Sequence, residues 1–299
     1  MKKIILTLMA AALMPVLAMA QCPTPATATA TVTLKRKIPG LLDGDFSVSA
    51  TKKVHFAGGN LMYTKSTGKW KIMEHQYDVV ETLNQNVGAD YASQDVVTLF
   101  GWGTSGWESD TRLADFPYYT NNNDADYGVL ATKSASETLT DATTNGEKGD
   151  WGVYNSSDLG SGWRTLTNAE WGYLFNSRTN AASLRTLATV NTVHGLIIMP
   201  DGWTASTVAL MVTTSNFTTN NIDLTNWGKL EEQGCVFLPA AGYRVGATVN
   251  YVGSYGFYWS SSAHSSSYAY YLSFNSGNVN PQYLSSRFLG CSVRLVQDL

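Results

Sequence analysis

From Val245 to Ser286 the chain carries no Asp, Glu, Lys or Arg. A tract so free of charge must either cross a membrane or pack into a fold or an interface. Ser, Asn and Gly interrupt every apolar run, so none reaches the roughly 18 residues that a membrane helix requires. What the tract keeps is alternation. Along Tyr268–Asn275, Tyr268, Tyr270, Leu272 and Phe274 fall on one face of an extended chain, and Ala269, Tyr271, Ser273 and Asn275 on the other. The Leu/Phe face is the one expected to be buried, which turns Tyr271, Ser273 and Asn275 outward. Strands are also expected around Phe257–Trp259 and Ser292–Val296; the strand bearing Tyr271 is expected to return through an Asn278–Leu289 loop to pair with the closing strand, which brings Tyr271, Tyr283 and Phe288 near one another.

The residue types of this tract point to recognition. Tyr offers large contact area at small entropic cost, while Ser, Gly and Asn offer adaptable hydrogen bonds, and paratopes combine them for that reason. Interface centres are also depleted of charge, because charges are costly to desolvate. Leu284, Phe288 and Leu289 add apolar groups to a polar loop, the pattern of a contact site. The candidate contact residues are Tyr255, Phe257, His264, Tyr268, Tyr271, Ser273, Asn275, Asn278, Asn280, Gln282, Tyr283, Leu284, Ser286, Phe288, Leu289 and Cys291. The alternative is an ordinary set of strands whose Tyr and Ser are merely half exposed.

The rest of the chain sets the context. Its 299 residues suffice for a sizeable core in one or two domains. Charged residues make up only 14% and aromatics 12%, and the net charge of -3 leaves no basic footprint for nucleic acid. Residues 1–20 read as a signal peptide: Lys2 and Lys3, an apolar stretch from Ile4 to Leu17, then Ala18-Met19-Ala20 as the cleavage site. Export follows, to the medium or the outer cell surface, with no transmembrane segment in the mature chain. A lipid anchor at Cys22 is the weaker alternative, since Gln21 stands where a small residue is required. Residues 21–44 read as a Pro/Thr/Ala-rich tether or, because "TATATVTL" alternates, as an arm for a surface-assembly partner.

From residue 45 onward the sequence reads as continuously folded. "FSVSATKKVHF" and "NLMYTKSTGKWKIM" read as strands, the latter turning at Ser66-Thr67-Gly68, and "VHGLIIMPDGW" and "GCVFLPAAGYRV" as buried strands. One helix is signalled at Thr167–Ser177. Thr167 and Glu170 fit a capping box, and Trp171, Leu174 and Phe175 form one apolar stripe. Asp124 and Asp126 offer a calcium pair but lack the remaining ligands of a calcium loop. No cofactor and no metal site are expected.

Five segments in order, "GWRTLTNAEWGYLFNSR", "GLIIMPDGW", "FLPAAGYR", "GFYWSSS" and "GCSVRLV", resemble secreted C-type-lectin-fold proteins of gut Bacteroidota, of the formylglycine-generating-enzyme-like subtype. The resemblance spans residues 45–299 and implies an α+β fold, with few helices on short twisted antiparallel sheets and many loops. Thr165 and Asn168 depart from the subtype's helix-start pattern. It is similar, further, to variable proteins of diversity-generating retroelements. That likeness implies a fixed frame of Tyr258-Trp259-Ser260-Ser261, Leu272, Phe274 and Ser292-Val293-Arg294 around variable positions within about 253–294. The partner it implies is a protein or glycan on another cell or phage surface.

Catalysis has little support. The formylglycine-generating relatives rely on a closely spaced cysteine pair, whereas Cys235 and Cys291 lie far apart in the sequence. His55, His75, His194 and His264 belong to no metal or triad motif. Calcium-dependent sugar binding is weakly supported too, since Asn280-Pro281-Gln282 stands without a Trp-Asn-Asp partner motif. A non-enzymatic ligand-binding role, as an adhesin or receptor-binding module, is therefore expected, with a carbohydrate-binding lectin as the alternative. Sequencing the locus tests the retroelement likeness. The expected result is a nearby reverse transcriptase and an imperfect repeat of the codons for residues 255–294, differing mainly at adenines; a locus without either removes the likeness.

Overall fold

The computed structural model describes residues 40–64, 66–80, 95–104, 139, 149–204, 208–245, 248–265 and 267–299. The chain divides into Met1–Lys37 and Ile38–Leu299, and only the second unit falls among the described residues. The signal segment, Cys22, the 21–34 arm and the Asp124–Asp126 pair lie outside them.

The architecture is α+β, built mainly of sheets. The last strand, β16 (Leu295–Asp298), lies between β2 (Lys53–Phe56) and β6 (Trp163–Thr165), with β1 (Phe46–Ser47) beyond β2. A second sheet is ordered β4 (Lys69–Ile72), β3 (Leu61–Thr64), β5 (Val96–Val97). A third is ordered β10 (Val236–Pro239), β8 (Val193–Ile198), β7 (Arg185–Val190), β9 (Asn221–Ile222), antiparallel except for the β7–β9 pair. β11 (Tyr243–Val245) and β12 (Thr248–Asn250) form a hairpin, and β13 (Tyr255–Ala263), β14 (Tyr268–Asn275) and β15 (Asn278–Ser286) form the sheet that carries the uncharged tract. The α-helices among the described residues are α1 (Trp151–Tyr154), α2 (Ser156–Leu159), α3 (Asn168–Asn176) and α4 (Leu224–Glu232).

The helix expected from its capping box is α3. Thr167 Oγ1 accepts the Glu170 N–H at 3.2 Å, and the Glu170 carboxylate accepts the Thr167 N–H at 2.9 Å. Trp171, Leu174 and Phe175 are buried as the stripe requires. Glu170 also ties α3 into the sheet. Arg164 on β6 grips it with two hydrogen bonds of 2.7 and 2.9 Å, and reaches Asp298 on β16 at 2.6 Å. Lys52 completes the network at 3.5 Å from Glu170 and 3.3 Å from Asp298. The segment before β2, β6, α3 and β16 are thereby joined at one place.

Two expectations fail here. The closing strand pairs with the N-terminal β2 and with β6, not with the strand bearing Tyr271. The segment expected as a loop, Asn278–Leu289, is largely β15, antiparallel to β14. Its hairpin turns through Ser276-Gly277, with Gly277 at a φ of 139° that L side chains rarely adopt. Pro281 breaks the period-two pattern and made the segment look irregular. The sheet accommodates it at a register shift: Tyr271 pairs with Tyr283 while Ser273 pairs with Asn280, leaving one extra residue on β15. A bulge is where a strand tolerates a residue that cannot donate to the ladder.

The β13–β14–β15 sheet is packed on both faces, and this overturns the expected one-sided burial. Tyr258, Leu272 and Phe274 join the core beneath α3, together with Trp171 and Leu174. Phe257, Trp259, Ala269 and Tyr271 join a second core with Trp70, Phe100 and Trp102.

The charge network makes a pH prediction. Burial alone would raise the Glu170 carboxyl, but hydrogen bonds from Arg164 and Thr167 outweigh it and hold the pKa below its ordinary value; Asp298 is lowered in the same way by Arg164 and Lys52. A carboxylate depressed in the folded state contributes stability that is fully present above its unfolded value, about 4.3 for Glu, and is lost as pH falls through the folded value. The unfolding midpoint is therefore expected to drop as pH is lowered from about 5 towards 3. In Glu170→Gln the curve starts lower at neutral pH and falls less over that range; equal pH slopes in parent and variant would contradict the network's role.

Candidate functional site

Residues directly opposite in an antiparallel pair share a face. The register therefore sorts the uncharged tract without further assumption. Tyr255, Asn275 and Asn278 form one row across the sheet, Phe257, Ser273 and Asn280 a second, and Trp259, Tyr271 and Tyr283 a third. Eight of the sequence-derived candidates lie on this one face: Tyr255, Phe257, Tyr271, Ser273, Asn275, Asn278, Asn280 and Tyr283.

Its aromatic rings touch in series. Tyr255 stacks parallel to Phe257 at 5.7 Å, Phe257 meets Tyr271 edge-to-face at 5.5 Å, and Tyr271 meets Tyr283 at 5.7 Å. Two residues missed by the sequence reading extend the series. Tyr251 lies 5.1 Å from Tyr255, and Tyr243 on β11 lies 5.5 Å from Phe257 and 5.8 Å from Tyr251. The Tyr251/Tyr255 pair brackets a Val-Gly-Ser turn, and that spacing was the available signal. Aromatic pairs prefer offset-stacked and edge-to-face arrangements, and both occur in this series.

The strip has a buried floor and two exposed ends. Tyr251 is 52% exposed and Tyr283 51%. Between them Phe257 is 9% exposed, Tyr271 5% and Cys291 1%, so the expectation that these three present themselves to solvent is corrected. The reason is the second core: Trp259 presses edge-on against Tyr271 at 5.6 Å. Tyr271 and Tyr283 do meet, as expected, while Phe288 and Leu289 are half-buried against the same cluster. Ser273, Asn275 and Asn280 are half-buried and Asn278 is exposed, so the polar edge of the face remains accessible.

Burial pushes the Tyr271 hydroxyl well up, with Cys291, Tyr283 and Tyr243 adding to the rise and a hydrogen bond with Ser285 opposing it. Tyr243 is raised by burial and by its neighbours Tyr251 and Cys291. Cys291 and Cys235 are free and buried, and burial pushes both thiols up. A thiol held protonated is a poor nucleophile. The face offers neutral hydroxyls, amides and rings.

The other candidates point elsewhere. Tyr268, Leu284 and Ser286 belong to the opposite face, as their pairing with Ser286, Tyr270 and Tyr268 requires. Gln282 lies against α3, its amide donating to the Asn168 carbonyl at 3.3 Å. His264 sits at the β13–β14 turn, edge-on to Tyr270 at 5.4 Å. The inferred frame behaves uniformly: Tyr258, Trp259, Ser260, Ser261, Leu272, Phe274, Ser292, Val293 and Arg294 are each at most 1% exposed. Among the described residues, no three His, Cys, Asp or Glu side chains gather as a metal site, and no helix is long and apolar enough to cross a membrane.

Residues 206–296 match a family described as a domain of unknown function (DUF8237), a span that contains the whole aromatic strip. No curated protein and no solved structure matches the chain.

Single substitutions distinguish floor from rim. Tyr271→Ala is expected to cost about 3–5 kcal/mol, as other buried aromatic truncations do. Tyr283→Ala should stay within about 0.5 kcal/mol of the parent, as exposed changes usually do. Chemical unfolding of both variants checks this; equal losses would mean that Tyr283 is core as well.

Proposed function

We propose that the protein is an exported or surface-displayed ligand-binding module, an adhesin or receptor-binding protein on a C-type-lectin-type domain, and that its ligand rests on the β13–β14–β15 face. The observation that carries this reading is the continuous ring strip from Tyr251 to Tyr283, bordered by Ser273, Asn275 and Asn278 and free of charge. Clustered aromatic anchors supply most of the energy of an interface. Here the anchors rest on a floor already fixed by the core, so little ordering entropy opposes binding.

The contrast between frame and face supports a diversified target. Frame positions are buried, where substitution disturbs folding, whereas Asn275, Asn278, Asn280 and Tyr283 retain exposed surface on a rigid sheet. Changing such positions alters recognition at small cost to stability. The nature of the ligand, protein or glycan on another surface, is what a binding screen decides.

Labelled protein tested on a glycan array and on a panel of cells, with and without calcium, examines the proposal. Saturable binding is expected, weakened at least about thirtyfold in the Tyr251→Ala/Tyr283→Ala double variant, the equivalent of about 2 kcal/mol for anchor loss. Sugar binding abolished by chelation would instead favour the calcium-dependent lectin. Binding untouched by the double variant would place the ligand on another face.

A further inference from the structure

A second candidate site lies away from the aromatic face, at the start of the chain's first sheet. A cavity of about 320 Å³ is lined by Ser47, Ser49, Lys53, Tyr173, Arg178 and Asp201, with Ala50 the one purely apolar lining residue.

The lining carries two cations, Lys53 and Arg178, against one carboxylate, Asp201. Arg178 donates from one terminal nitrogen to Asp201 at 3.2 Å and from the other to the Leu184 carbonyl at 3.2 Å. Its Nε–H is buried with no hydrogen-bond partner in the protein. Arg185, close enough for its charge to act on Arg178, carries a second buried Nε–H without a partner. Lys53, 46% exposed, completes the group at 3.3 Å from Asp201.

Asp201, the one carboxylate in the lining, is already engaged. It accepts the Ser47 N–H at 3.0 and 3.1 Å and the Ser47 hydroxyl at 2.6 Å, besides the two cations. Asp45 lies 3.9 Å from Lys53 but is held at 2.8 Å by His55. Two cationic side chains of the lining, Lys53 and Arg178, thus face one carboxylate that is already engaged. A buried guanidinium N–H left unpaired costs the full desolvation of that group, and an anionic oxygen removes the cost most effectively.

We propose that this cavity binds a small oxyanion, a phosphate or sulfate group, held by Arg178, Lys53 and the hydroxyls of Ser49 and Tyr173. The site is separate from the aromatic face and serves either a free ion or an anionic substituent of a larger molecule.

Calorimetric titration of the full chain with inorganic phosphate, inorganic sulfate and glycerol phosphate tests it. Titration is preferable to a melting shift, because sulfate and phosphate stabilise proteins generally. Saturable binding is expected, weakened at least about tenfold in Lys53→Gln, as loss of a charge-assisted contact predicts. Thr179→Glu, which sets a carboxylate on an exposed lining residue, should abolish it, and Lys229→Gln, on α4 and outside the lining, should leave it unchanged. Uptake of the ions but not the ester identifies a free-ion site; uptake of all three identifies a site for an anionic substituent. No saturable binding, or binding equal in parent, Lys53→Gln and Thr179→Glu, overturns the proposal.

Discussion

The side chain on which the fold most depends is Arg294, fully buried near the end of the chain. Its Nε donates to Asn60 at 3.0 Å, one terminal nitrogen to the Ala57 carbonyl at 3.1 Å and to Gln76 at 3.2 Å, and the other to the Phe237 carbonyl at 2.9 Å. Among the described residues no carboxylate hydrogen-bonds to it directly. Gln76 links it instead to Glu231, donating to that carboxylate at 3.0 Å. Burial lowers the Arg294 pKa to about 10, against the opposing influence of Tyr258 and Glu231, so the group stays charged at neutral pH. Each hydrogen bond to such a charge is typically worth about 1.5–3 kcal/mol, because the charge has no water to turn to when a partner is lost. Four segments distant in sequence are thereby held in one register.

That register sets the position of the aromatic face. Asn60 also donates to the Tyr258 hydroxyl at 3.3 Å, and the Tyr258 hydroxyl donates to the Pro239 carbonyl at 2.9 Å. β13 is thus fastened from behind by the residues that bind Arg294. The chain just before Arg294 runs close against its neighbours: Gly290 bridges Arg244, Cys291 bridges Phe100, and Ser292 bridges Tyr258. A side chain at Gly290 would come within 2.9 Å of Arg244. Cys291 is consequently placed beneath Tyr271 and Tyr243, and Arg287, stacked 4.5 Å above Trp102, anchors the far end of β15. The floor of the strip is rigid because its support is long-range and fully buried.

The parts legible in the sequence were those governed by short spacings. A capping box involves residues three apart, so Thr167, Glu170 and the Trp171/Leu174/Phe175 stripe located α3. Period two placed Tyr271, Ser273 and Asn275 on a common face, and it placed Tyr255, Phe257 and Tyr283 there as well once the pairing was known. It did not reveal which face was core, because a sheet between two cores is buried on both. β15 was hidden by Pro281, whose bulge is visible only beside its partner strand. α4 went unread although Asp223 caps its start, accepting the Asn226 N–H at 2.8 Å, and Gly234 follows its end at a φ of 82°. Arg294 enters the fixed frame through the resemblance alone, and its partners at 57, 60, 76 and 237 are set by tertiary packing that no local spacing reveals.

A rigid, neutral floor with exposed tyrosines at its ends suits recognition without charge steering, in which contact area and shape supply the affinity. Side-chain footprinting with hydroxyl radicals, on the free protein and on the protein bound to the cell or glycan that a screen returns, tests this most directly. Tyr251 and Tyr283 are expected to react readily when free and to be protected on binding. Tyr268, exposed on the opposite face of the same sheet, should react equally in both states, and Tyr271 should be nearly inert throughout. Protection of Tyr268 with Tyr251 and Tyr283 unchanged, or a free Tyr271 as reactive as Tyr283, would contradict the account.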